Sequence, residues 1–162
     1  MSRACTHIRN YTCAHESRTG YTGGARFSYP DNHIEVDNRL AWLLGRLEEA
    51  YGDSACYVHL QRDLDATAAS FVKRYRKGIM RAYGRHGVLY GLPRGADRLT
   101  VARDLCRTVD ANIEAFLRDK SNALRMRIET AAERFGELWE LIGAEGDYDR
   151  ALGELRIRHN AS

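Results

Sequence analysis

Arg62 and Ser70 are the residues whose types and spacing best suit chemistry on a phosphate. The apolar run Cys56-Tyr57-Val58-His59-Leu60 ends in Gln61-Arg62-Asp63, and a serine follows eight positions after the arginine. A guanidinium presents a planar fork of donors to a phosphate, and a hydroxyl about two turns into the following helix adds a third donor. Two donors of different type would then converge on one dianion.

The elements that must position this pair are a strand and a helix. Cys56 to Leu60 has the length and apolarity of a buried parallel strand, and the segment from Leu64 to Tyr83 reads as one amphipathic helix. Arg62 therefore belongs to the carboxyl end of a strand, the edge of an open α/β sheet where ligands collect. Within the helix, Ala68, Phe71, Val72, Tyr75, Ile79, Ala82 and Tyr83 form an inward stripe. Ser70, Lys73, Arg74, Lys77 and Arg81 share another face. That basic face is either an ordinary solvated surface or a contact for an anionic substrate, with Lys73 and Lys77 as candidates.

Other segments follow the same alternation. Tyr11 to Glu16 suits a short strand and Ser17 to Pro30 a loop. From Val36, apolar residues at Leu40, Leu43, Leu44, Leu47 and Tyr51 make a helical stripe closed by Gly52. Gly84 to Gly95 is turn-rich, and Ala102 to Leu117 has helical period. Leu124, Met126 and Ile128 alternate with Arg125 and Arg127 as in a strand with one covered face. Helices over Ala131–Ile142 and Tyr148–Leu155 complete the chain. Strands alternating with helices imply an α/β domain with a parallel sheet and helical crossovers, occupying residues 1–162 as one unit.

Composition narrows the function classes. With 162 residues, 44% hydrophobic and 29% charged, the chain is that of a globular domain able to bury a core. A net charge of +3 is too small to argue for nucleic acid. No apolar stretch has membrane-spanning length, and Met1-Ser2-Arg3-Ala4-Cys5 has no hydrophobic signal core, so a cytoplasmic location is expected. Four cysteines without C-x-x-C spacing do not indicate disulfides.

The stretch Tyr57-Val58-His59-Leu60-Gln61-Arg62-Asp63, with Ser70 and Phe71 beyond it, resembles the 3′-phosphate-binding segment of the P-loop sulfotransferases. That family transfers sulfuryl groups from the nucleotide donor PAPS (3′-phosphoadenosine 5′-phosphosulfate). The resemblance implies a three-layer, P-loop-type fold in which Arg62 and Ser70 hold the 3′-phosphate of PAPS, with no metal taking part. Ala123 to Glu129 is similar to the family's late strand ending in an acidic residue, followed by helices and the terminal segment His159-Asn160-Ala161-Ser162.

The front of the chain departs from the family. A sulfotransferase opens with a strand, a glycine-rich basic loop that grips the 5′-phosphosulfate, and a helix. Met1 to Arg9 reads as that helix, with no loop before it. Gly20-Tyr21-Thr22-Gly23-Gly24 is no substitute, because no basic residue followed by Ser/Thr and a helix comes after it. The expectation is an N-terminally truncated domain, inactive as written, through a start placed too late or a true truncation. By the same resemblance Glu16, at the end of the first strand, is the candidate general base, with His15 second.

Several other residues admit two readings. Cys5, His7, Cys13 and His15 form a C-x-H...C-x-H arrangement, but Cys5 and His7 fall two apart in a helix and the knuckle spacings are missing, so no metal is assigned. His59 in mid-strand suits a satisfied core histidine, and Trp42 and Trp139 suit core packing. Asp31 to Arg39 is either a capped helix entrance or an acceptor-binding lip with Arg39 facing a cleft.

The resemblance therefore implies a sulfotransferase-like domain with a nucleotide donor and an acceptor hydroxyl as partners. One alternative is a non-catalytic interaction protein that oligomerises through an exposed sheet edge. Another is a P-loop kinase relative, which needs the same missing loop.

Overall fold

The computed structural model describes residues 1–84 and 87–157. The terminal segment 159–162 lies outside the described residues. Among the described residues the chain is mixed α/β, with seven α-helices and two small parallel sheets of two strands each. Strand β1 (Thr12–His15) pairs with β2 (His33–Val36), and β3 (Tyr57–Gln61) pairs with β4 (Ala123–Arg127). The strands thus form two pairs and no single continuous sheet.

The short helix α1 (Ser2–Cys5) ties the pairs together. It packs on β1 and β2, while Ala4 and Met1 share a core with Leu60, Leu124 and Met126 of the other pair. The expected helix over Met1–Arg9 is only one turn long, because Ile8 leaves it to bridge Gly146 in antiparallel fashion. Helices α6 (Ala131–Leu141) and α7 (Tyr148–Arg156) complete this core with Phe135, Leu138 and Ala151. Phe135 is wholly buried and lies against Trp139 and Tyr148.

A second core lies among α3 (Leu64–Lys73), α4 (Gly78–Gly84) and α5 (Arg98–Leu117). Ala68, Met80, Tyr83, Val101, Ala102 and Leu105 fill it, with Trp42 packed against the edge. Successive side chains of a strand point to opposite faces. His59 reaches α5 while Leu60 joins the core beneath α6, so the β3–β4 pair has a helix on each face.

Two expected elements differ. The segment read as a helix from Val36 is strand β2, then a 3-10 turn over Asn38–Trp42, then α2 (Leu44–Tyr51). Asp37 caps the turn by accepting from the Arg39 amide at 2.8 Å, so capping falls to Asp37 and not to Asp31 or Asn32. The helix read over Leu64–Tyr83 is broken between Lys73 and Gly78. Gly78 has φ of +51°, a left-handed conformation that a continuing helix cannot hold.

Candidate functional site

Arg62 sits at the carboxyl end of β3, exposed, immediately before α3. The corner that carries it is braced from three sides. Asp63 caps α3 by accepting from the Ala66 amide at 2.8 Å, the Thr67 hydroxyl donates to the Asp63 carbonyl at 2.8 Å, and the Asp63 amide donates to Glu129 Oε1 at 3.0 Å. That amide holds the Glu129 carboxyl below the ordinary glutamate range. Asp65, the next acid along, is engaged by Arg103 Nε at 2.8 Å. Arg62 therefore has no carboxylate partner among the described residues.

Ser70 lies half-buried on α3, about 10 Å along the helix axis from the cap. Its hydroxyl accepts a long bond, 3.4 Å, from Arg74. No hydrogen bond joins Arg62 to Ser70. Lys73 ends α3, whereas Lys77 falls in the turn before α4. The basic face expected as one straight ridge is thus bent at the helix break.

Glu16 follows β1 with φ of +52°, unusual for a residue with a side chain. Its amide donates to the Val36 carbonyl at 3.1 Å, and its carboxylate forms an ion pair with Arg39. That pairing, foremost the hydrogen bond that Arg39 donates to Glu16, raises the Arg39 guanidinium above its ordinary value. The structure brings these two candidates together, and Arg39 also lines a cleft of about 390 Å³ with Phe27, Trp42, Thr19 and Thr22. His15, one residue earlier, is exposed and makes no contact with Glu16 or Arg39 among the described hydrogen bonds and ion pairs.

Two polar clusters near this cleft carry no sequence signal. Arg26 is 5% exposed and forms an ion pair with Asp37 while donating to the Tyr29 hydroxyl at 3.1 Å. Glu35 accepts from the Ser17 amide at 2.9 Å, from the Ser17 hydroxyl, and contacts His33 Nε2 at 3.2 Å. Burial would push the Glu35 carboxyl up, but the Ser17 donors and His33 outweigh it and hold it below the ordinary range. Both pairings depend on the loop between β1 and β2, whose folding only the tertiary structure reveals.

The remaining residues of interest are structural. His59 is 5% exposed, with Nδ1 2.9 Å from Glu114 Oε1 and Nε2 3.4 Å from Asp110 Oδ1, which is a satisfied core histidine. Trp42 packs near Tyr83 and Trp139 on Phe135, as core residues. All four cysteines are free. Among the described residues no three His, Cys, Asp or Glu side chains converge as a metal-holding group. No helix among them is long and apolar enough to cross a membrane.

No protein-family model matches the chain, and comparisons with curated proteins and with solved structures find no significant match.

Proposed function

We propose that the chain is a sulfotransferase-like domain of three-layer α/β type that binds a PAPS-class nucleotide, with Arg62 and Ser70 on the 3′-phosphate. One observation carries the reading: an exposed arginine without a carboxylate partner among the described residues stands at the carboxyl end of a parallel strand, on a corner braced by Asp63 and Glu129, with a serine hydroxyl two turns into the next helix. An unneutralised guanidinium on a rigid corner is organised for an anion before the anion arrives.

In this reading Glu16 is the base that takes the proton of an acceptor hydroxyl while that oxygen bonds to sulfur and the sulfur–oxygen bond to the 5′-phosphate breaks. Arg39 positions the Glu16 carboxylate beside the cleft that admits the acceptor. The residues here account for the 3′-phosphate end of the donor and the acceptor side. They offer no glycine-rich basic loop for the phosphosulfate end.

Isothermal titration with adenosine 3′,5′-bisphosphate tests the reading. Binding that Arg62→Ala and Ser70→Ala each weaken supports it, and binding indifferent to both substitutions, or no binding by the wild type, refutes it.

A second reading is favoured by the sheet topology. Each of the four strands has a strand partner on one side only among the described residues, which leaves edges able to pair with another chain. A concentration-dependent dimer in light scattering that a proline in β1 or β3 abolishes would favour an interaction protein.

A further inference from the structure

A second cleft, of about 450 Å³, lies between the α3–α4 turn and the loop leading into α5. Four arginines line it: Arg76 from the turn, Arg81 from α4, Arg94 from the loop and Arg98 from the first residue of α5. Neither Arg62 nor Ser70 reaches it. The Arg98 guanidinium lies over the Tyr75 ring, 5.4 Å from its centroid, which stacks that cation against one wall.

What sets the cleft apart is that four arginines converge on one concavity. Several arginines elsewhere are neutralised by carboxylates, as in Arg39 with Glu16, Arg103 with Asp65, Arg125 with Glu114 and Arg134 with Glu137. Among the described residues none of the four cleft arginines has such a partner. The acids that adjoin the cleft in sequence are engaged in other bonds. Asp97 caps α5, accepting from the Leu99 and Thr100 amides and the Thr100 hydroxyl, and Asp104 accepts from the Tyr83 hydroxyl at 2.5 Å.

A solvated basic face disperses its charges on a convex surface among acids. Here four like charges surround a concavity, where low-dielectric walls focus their field and where each guanidinium can fork two bonds to one oxyanion. The volume falls in the range of small-molecule sites, which favours a compact ligand over a nucleic-acid strand or a membrane surface. We propose that this cleft binds a small ligand carrying two or more phosphate or sulfate groups, at a site separate from Arg62 and Ser70.

Isothermal titration of the full chain at low salt, with sodium tripolyphosphate and with sucrose octasulfate as probes, tests the proposal. The expected result is binding of at least one probe, weakened at least tenfold by the double substitution Arg81→Ala with Arg94→Ala and unchanged by Arg150→Ala. A preference for tripolyphosphate assigns a phosphate ester, and a preference for the octasulfate assigns a sulfate ester. Both arginines are exposed, so circular dichroism should show the double variant folded. The pair Arg81→Lys with Arg94→Lys, which keeps charge without the fork, should fall between. The proposal is overturned if neither probe binds the wild type, or if Arg150→Ala, remote and exposed, weakens binding as much as the double variant. It is equally overturned if only an oligonucleotide or phosphatidylserine vesicles bind. Adenosine 3′,5′-bisphosphate also carries two phosphates, so the variants and not the probes separate the sites: binding lost with Arg62→Ala reports on the strand-end corner, and binding lost with the Arg81, Arg94 double substitution reports on this cleft.

Discussion

The backbone amide of Asp63 donates to the carboxylate of Glu129, 3.0 Å away, and so joins the turn after β3 to the turn after β4. Asp63 simultaneously caps α3 through its own carboxylate. One residue thus fixes both the direction in which α3 leaves the sheet and the spacing of the two strand ends. Asp63→Ala should destabilise the fold by about 1 kcal/mol through the lost cap, measured by urea unfolding. Glu129→Gln should cost less than Glu129→Ala, because the amide oxygen still accepts from Asp63.

Arg62→Ala should separate binding from stability. The side chain is exposed and holds no ion pair among the described residues, so the stability should stay within about 0.5 kcal/mol of wild type. A charge-assisted hydrogen bond to phosphate is worth about 1.5–3 kcal/mol, so affinity for adenosine 3′,5′-bisphosphate should fall roughly 10- to 100-fold. Equal loss of stability and binding would show Arg62 to be a structural residue.

Glu35 should give the fold an acid-sensitive component. Its folded-state value is depressed relative to an unfolded chain, where a glutamate titrates near about 4.3. The stabilisation is therefore complete above that ordinary value and is lost as pH falls through the depressed one. Thermal unfolding followed from pH 7 down to pH 3 should show a steeper loss in the wild type than in Glu35→Gln. At pH 7 the substitution should cost about 2 kcal/mol, the scale of hydrogen bonds to a charged group. Parallel curves for the two proteins would remove Glu35 from the account.

Gly146 should tolerate no side chain. Its φ is +155°, and a Cβ there would stand 2.2 Å from the His7 carbonyl oxygen, inside the bridge between Gly146 and Ile8. Gly146→Ala must part the segment after α1 from the turn before α7, with an expected loss of about 1–3 kcal/mol. By contrast Gly45→Ala, on α2 with nothing within 4 Å, should be neutral or stabilising by up to about 1 kcal/mol.

Phe135→Ala should be the most damaging of these substitutions. The ring is 0% exposed at the centre of the α1, β4, α6 and α7 core. The expected cost of about 3–5 kcal/mol would be read from chemical denaturation.

How much of this was legible in the sequence depended on whether one signal dominated locally. β3, β4 and α5 each have a readable pattern: a mostly apolar run interrupted by His59, a strict alternation and a long 3.6-residue stripe. β2 was missed because His33-Ile34-Glu35-Val36 is four residues long and half polar, and its polar members are held by Ser17 and Thr12 from the neighbouring strand and turn. The break between α3 and α4 was hidden because Tyr75, Ile79 and Tyr83 carry the apolar stripe straight across it. Only Gly78 marks the interruption. For the candidate site, Arg62 and Ser70 were visible because they are local to one strand-helix corner, and the Glu16–Arg39 meeting was half visible as two separate candidates. The four-arginine cleft was not, since Arg94 and Arg98 join Arg76 and Arg81 only when α5 folds back along α3.

The β3–β4 pairing also sets the order in which this chain can fold. Tyr57 and Ala123 are in register, so the whole of α3, α4 and α5 lies in the loop that their pairing closes. Closing so long a loop is entropically costly until the helices have condensed among themselves. The three helices can nucleate locally through Ala68, Met80 and Leu105, and β4 then docks late, when Met126 finds the core under α6. A newly made chain would therefore carry β3 without its partner until Ala123–Arg127 had been synthesised, and the interval before β4 arrives is when that strand is open to the wrong neighbour.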